Sequence, residues 1–259
     1  MLYDPWCGGT PGLRLDPPTL QCTLDLVGDC GWLARLACRA FEGASRRVLG
    51  SSITCPARLM AGRRVPGWTE PIVLCNFAAR LGHVELLQWA KEHGYFVDRW
   101  TCALAAWGNH LPALQWLRRV KCAWDTWTCW QAAGQGHLEV LEWARQNGCP
   151  SDTSTCAVAA GKGRLELLQA ARRLGCPWDA ATCSEAAKGG HLEVLQWARA
   201  NGCDWDKWSC ADAARGGHLE ILQWLHLNGC PWDSWTCDYA RQHLKHEILQ
   251  WAQQHGCPD

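Results

Sequence analysis

Cysteine returns every 27 residues in this chain, at Cys75, Cys102, Cys129, Cys156, Cys183, Cys210 and Cys237. A second column runs through Cys122, Cys149, Cys176, Cys203, Cys230 and Cys257 at the same interval, with Tyr95 in the slot one repeat earlier. Trp89, Trp116, Trp143, Trp197, Trp224 and Trp251 form a third column, broken at Ala170. Asp98, Asp125, Asp152, Asp179, Asp206 and Asp233 form a fourth. Residues 179–205 and 206–232 agree at 16 of 27 positions. A fixed period without insertion or deletion marks a repeat architecture, in which each unit buries its apolar side against its neighbours.

Each unit holds two short helical patterns. The first reads T-C-x-x-A-A-x-G, as in TCWQAAGQ at Thr128–Gln135, with small apolar residues three and four apart. The second reads H-L-E-V-L-Q-W-A-R, in which Leu192, Leu195 and Ala198 share a side with Val194 and Trp197, while Glu193, Gln196, Arg199 and Ala200 face water. Gly202 is placed for a left-handed helix cap, and Asp206 for the N-cap of the next helix. Neither helix is long enough to be stable alone, so stacking must supply the stability. A leucine-rich repeat has a similar period but needs a strand in every turn, and the corresponding segment here is the small-residue helix. The expected fold is therefore all-α, an α-solenoid of stacked helix–turn–helix units with a small helical N-terminal segment. The expected divisions are residues 1–50 for that segment, 51–69 for a junction or cap, and 70–259 for seven repeats. The last unit turns polar at Arg241, Gln242, Lys245, His246, Gln253 and Gln254, as an end cap would.

Lys plus Arg and Asp plus Glu number 25 each, and no long run of like charge occurs. Phosphate affinity rests on clustered positive charge, so neither a nucleic acid nor an anionic membrane is an expected partner. No apolar run is long enough to span a bilayer, and the N-terminus lacks the pattern of a signal peptide. The expected location is intracellular, in the reducing cytoplasm or nucleus, with the 18 cysteines as thiols.

The words A-A-x-G-G-H-L-E-V-L and N-G-C, at 186–195 and 201–203, resemble the ankyrin repeat. The resemblance implies helix–turn–helix stacking, with the first helices lining a concave face. These units are six residues shorter than an ankyrin unit, and the loss falls between Cys203 and Cys210, where the family's β-hairpin finger would lie. The CPWDxWTC form resembles the ankyrin-type repeats of giant DNA viruses of amoebae and of some protists. Those proteins often begin with an F-box, and residues 17–45 are similar to one. Pro18 stands at its proline start, and Leu33, Leu36, Ala37, Cys38 and Phe41 match its L-x-x-L-x-x-V-C-R-x-F/W core. A working F-box implies docking to the Skp-type adaptor of a cullin–RING ubiquitin ligase.

The cysteines are spaced C-x6-C, unlike the tight C-x2-4-C pairs of structural zinc sites, and read as small hydrophobes where helices meet. The expected metal and cofactor content is none. The histidines His83, His110, His137, His191 and His218, with Arg164 and Lys245 in the same column, read as helix-start residues. The glutamates Glu85, Glu139, Glu166, Glu193, Glu220 and Glu247 read as partners of the helix dipole. No nucleophile elbow or phosphate-binding loop occurs, and no catalytic residue is expected. Trp124, Trp178, Trp205 and Trp232, together with Trp100, Trp127, Trp208 and Trp235, read as closing the gap left by the missing finger, with part-exposed binding anchors as the alternative reading.

Two slots vary while the frame repeats. The slot before A-A holds Phe77, Leu104, Gln131, Val158, Glu185, Asp212 and Tyr239. The slot after it holds Arg80, Trp107, Gly134, Gly161, Lys188, Arg215 and Gln242. Residues that the frame does not need are free to recognise something, so these rows are the candidate partner-binding surface. The expected function is a monomeric, non-catalytic protein–protein interaction module. Its target is a host or viral protein, recruited to a ubiquitin ligase through the F-box-like residues. The alternative is a stand-alone scaffold or host-factor decoy with no ubiquitin role.

Overall fold

The computed structural model describes residues 72–258. The N-terminal segment, the junction and the F-box-like residues Pro18, Leu33, Leu36, Cys38 and Phe41 lie outside the described residues. Fourteen helices follow, with no strand among the described residues. They are α1 (Ile72–Arg80), α2 (Val84–Glu92), α3 (Arg99–Trp107), α4 (Leu111–Arg119), α5 (Thr126–Gln135), α6 (Leu138–Gln146) and α7 (Thr153–Gly161). The stack continues with α8 (Leu165–Arg173), α9 (Ala180–Gly189), α10 (Leu192–Ala200), α11 (Lys207–Gly216), α12 (Leu219–Leu227), α13 (Ser234–Gln242) and α14 (His246–Gln254). The odd-numbered first helices pack tightly on one another, and the even-numbered second helices form an outer layer with looser mutual contact. The fold is an all-α solenoid, and the short connections leave no room for a hairpin finger. Among the described residues no helix is long and apolar enough to cross a membrane.

Local chemistry sets the helix ends. From Asp98 to Asp233, each column aspartate is the N-cap of a first helix, its carboxylate accepting a backbone N–H. Such a cap contributes about 1 kcal/mol. At the end of α10, Cys203 N–H donates to Ala198 O at 3.0 Å and Gly202 N–H donates to Arg199 O at 3.1 Å. That pair of bonds is a Schellman motif, with Gly202 left-handed at φ 83°.

The small residues explain how closely the first helices approach. The paired alanines Ala105–Ala106, Ala132–Ala133, Ala159–Ala160, Ala186–Ala187 and Ala213–Ala214 are fully buried. Leu114, Leu141, Leu168, Leu195 and Leu222 are buried beneath them from the second helices. Truncating one such leucine to alanine costs about 2–5 kcal/mol.

The cysteines do more than fill space. All 13 described cysteines are free and buried. In one unit the Cys122 thiol donates to the carbonyl of Asp98 at 3.1 Å. The same thiol-to-carbonyl bond recurs from Cys149, Cys203, Cys230 and Cys257 to Asp125, Asp179, Asp206 and Asp233, at 3.3–3.4 Å. After five of the seven second helices a cysteine therefore ties back to the start of its own unit's first helix. Burial pushes the Cys75 thiol up to about 11 and the Cys156 thiol up to about 12.

Candidate functional site

The first helices present one continuous face, and their spacing produces it. Residues at i, i+4 and i+7 share a side of a helix. On α3 these are Trp100, Leu104 and Trp107; on α9, Ala181, Glu185 and Lys188; on α11, Trp208, Asp212 and Arg215. On α1 the two variable positions are Phe77 and Arg80. The row before A-A (Phe77, Leu104, Gln131, Val158, Glu185, Asp212 and Tyr239) is half-buried throughout, and Arg80 and Arg215 are exposed in the row after it.

Across the units the two rows interlock, the second row of one unit meeting the next unit. A methyl group added at Gly134 would lie 3.3 Å from Val158, and one at Gly161 would lie 3.2 Å from Glu185. The Arg80 guanidinium lies over Trp107 at 4.2 Å, and that of Arg215 lies over Tyr239 at 5.7 Å. Lys188 pairs with Glu185 at 3.0 Å. Burial raises the Asp212 carboxyl above its ordinary range, against the opposing pull of Lys188 and Arg215.

A third row lies on this face, among the tryptophans for which the sequence left gap closure and part-exposed anchors as alternatives. Trp100, Trp127, Trp208 and Trp235 sit in the first turns of their helices, 41%, 44%, 38% and 41% exposed. They gather in two clusters. Trp100 and Trp127 lie 5.6 Å apart, with Trp130 5.0 Å from Trp127. Trp208 and Trp235 lie 5.8 Å apart, and both contact Tyr239. Ser154 and Ala181 occupy the slot between the clusters. The expectation that all eight loop and helix-start tryptophans close the finger gap is thus corrected for these four, whose place on the helix leaves their rings partly in solvent. The i, i+4, i+7 relation of Trp100 to Leu104 and Trp107 was the signal available in the sequence.

The other loop tryptophans do close the gap. Trp124, Trp178, Trp205 and Trp232 are half-buried, each edge-on to the second-helix tryptophan of the following unit at 5.8–6.0 Å. Arg118, Arg172 and Arg199 cover the first three of these loop rings at 4.0–4.1 Å.

The histidines are not side-chain caps, although they stand at the helix starts. His137 Nε2 donates to Trp107 O at 3.0 Å, and His218 Nε2 donates to Lys188 O at 3.1 Å, each joining two units. Gly216 makes room for this link. A methyl group at Gly216 would strike Lys188 O and the His218 ring, and Gly217 adopts φ 87°. Burial lowers the pKa of His83 and His110, favouring the neutral ring.

Among the described residues no group of three or more His, Cys, Asp or Glu side chains is arranged to hold a metal ion. What the face offers is aromatic area, paired charges and a low centre at Gly134, Val158 and Gly161.

The geometry defines a stack of helical repeats with a variable inner-layer face. The family model for ankyrin repeats (many copies) matches residues 183–226, which run from α9 to α12. The helix pair found there recurs throughout the described residues, which form an ankyrin-like all-α solenoid. No curated protein matches the chain. Ankyrin-type stacks are protein–protein interaction modules, and the fold is typically a non-catalytic scaffold.

Proposed function

We propose that this chain is a non-catalytic protein-binding module whose first-helix face recognises a host or viral protein. The observation that carries the reading is the contrast within each first helix. The frame residues Cys, Ala and Ala are buried and constant except in the last unit, where Arg241 takes the second Ala slot, whereas the i, i+4 and i+7 positions vary and, apart from Gly134, meet solvent. Solvent-facing variation on a rigid scaffold is where binding specificity is placed. On this reading Phe77, Arg80, Leu104, Trp107, Gln131, Val158, Glu185, Lys188, Asp212, Arg215 and Tyr239 contact the partner. The stack acts as a monomer in a reducing compartment, cytoplasm or nucleus, a placement supported by its buried free thiols.

The finer role is recruitment of that partner to a cullin–RING ubiquitin ligase. Its support is the similarity of residues 17–45 to an F-box, with Pro18, Leu33, Leu36, Cys38 and Phe41 as the contacts to a Skp-type adaptor. Co-purification of the full chain with that adaptor tests it. The expected result is a stoichiometric complex, lost on changing Leu33 and Leu36 to Asp. A chain that leaves the adaptor unbound is a scaffold or decoy without a ubiquitin role.

A further inference from the structure

Two places on the first-helix face carry the same set of side chains. At the first, Arg99 reaches Asp125 of the next unit at 3.6 Å and lies 6.0 Å from the Trp100 ring. At the second, Lys207 reaches Asp233 at 2.8 Å and lies 5.6 Å from the Trp208 ring. The indole pairs also match in geometry. Trp100 and Trp127 are 5.6 Å apart at 41°, and Trp208 and Trp235 are 5.8 Å apart at 40°. A further ring joins each pair, Trp130 at the first and Tyr239 at the second.

The match follows from position in the unit. Asp125 and Asp233 each cap a first helix through one carboxylate oxygen, accepting from Trp127 N–H and Trp235 N–H at 3.1 Å. The second oxygen of each is thereby held toward the cation one unit back. In the two units between, Thr153 and Ala180 stand in the cation slot, and Ser154 and Ala181 in the indole slot. The two sets lie four units apart, roughly 35 Å at the 8–10 Å spacing of packed helices. Half-exposed tryptophans are favoured centres of interfaces, where they take apolar side chains. An exposed ion pair contributes little by itself and can exchange its partner for a ligand's charge.

We infer that these are two equivalent docking sites for one polypeptide that carries the same short motif twice in tandem. The motif joins an acidic residue, an aromatic or aliphatic anchor, and a basic residue. The inference rests on the first-helix face being the recognition surface. The acidic residue meets Arg99 or Lys207, the anchor lies on the indole pair, and the basic residue meets Asp125 or Asp233. Along the stack the cation precedes the carboxylate at both sites, so both motifs run in the same direction. A two-fold symmetric partner would present its second motif reversed and set like charges together. About 11 extended residues, at about 3.3 Å each, cover the distance between the sites.

The experiment starts from a random peptide library displayed in single copy and selected on the immobilised full chain. The most enriched peptide is synthesised singly, as a head-to-tail tandem, and as a head-to-head pair on a branched linker of equal length. Each is titrated calorimetrically into the parent and three variants. One carries Trp100→Ala with Trp127→Ala, another Trp208→Ala with Trp235→Ala, and the third Glu185→Lys with Lys188→Glu. The repeat already holds Ser154 and Ala181 in the indole slot, so the tryptophan variants keep the fold, which circular dichroism checks. The expected stoichiometry is two single peptides per parent chain and one on either tryptophan variant. The tandem is expected to bind one to one, about 100-fold or more tighter than the single peptide, and to fall back to single-peptide affinity on either tryptophan variant. The head-to-head pair gains less.

One single peptide per parent chain, loss confined to one tryptophan variant, or a head-to-head pair as tight as the tandem overturns the inference. So does a library that yields no enriched peptide, or peptides without the acid–anchor–base order. Peptides lost only on the Glu185 and Lys188 variant overturn it and leave the face as the recognition surface. Peptides indifferent to all three variants overturn that surface as well.

Discussion

Two junctions of the outer layer show what the repeat holds constant and what it can exchange. Between α10 and α12, the Arg199 guanidinium covers Trp205 at 4.0 Å, and Trp205 meets Trp224 edge-on at 5.8 Å. Between α6 and α8, the corresponding residues are Arg145, Ser151 and Ala170. Both tryptophans are missing together, although they lie in different units and 19 residues apart. The contact explains the coincidence: an indole in the loop packs only if an indole in the next second helix receives it. Without them, Arg145 still donates to Cys149 O but extends to Leu174 O at 3.2 Å, and its Nε finds no partner. A three-group stack has been replaced by one arginine that bridges two units.

The largest effect should come from emptying the filled junction. Trp224→Ala removes the half-buried indole on which Trp205 rests and should cost about 2–3 kcal/mol, below the range for a fully buried tryptophan. Adding Trp205→Ser to Trp224→Ala should cost less than the sum of the two single changes, by about 1 kcal/mol of coupling. Denaturant melts of the four chains measure this directly, and strict additivity would show that the rings do not act as a pair.

Filling the empty junction should have a smaller and opposite effect. Ser151→Trp or Ala170→Trp alone should be neutral or destabilising, since each indole lacks its counterpart and Ala170 is buried where Arg145 crosses. Introducing both should recover about 1 kcal/mol over the sum of the single changes. Thermal melts of the single and double variants sharpen the comparison, because a double variant no better than its parts would make the joint absence accidental.

The same contrast separates what the sequence disclosed from what it did not. The Asp206 N-cap and the Gly202 left-handed cap were legible because each answers a demand of the local backbone. The stacked all-α fold followed from the period and from helices too short to stand alone. The thiol-to-carbonyl bond from Cys203 to Asp179, the His218 link to Lys188 O and the bracket around Trp205 join residues of different helices or units. Column statistics show that such residues recur, but not what they touch. Arg199, read as water-facing, lies half-buried over Trp205 because the loop folds back beneath it. Trp208 and Trp205 looked alike in the sequence, and three residues separate an exposed helix position from a half-buried loop position.

The division between frame and face is the central claim, and one paired measurement tests it most directly. A face variant would carry Leu104→Ser, Gln131→Glu, Glu185→Lys, Lys188→Glu and Arg215→Glu. A matched back variant would change Glu193, Gln196, Glu220 and Glu247 on the second helices to residues of opposite charge or to alanine. Both are compared with the parent by thermal melting and by quantitative recovery of bound proteins from cell extract. The expected result is melting within about 5 °C of the parent for both, as surface changes permit, with the parent's bound proteins lost by the face variant alone. Equal recovery by all three chains, or loss by the back variant alone, would contradict the assignment of recognition to the first-helix face.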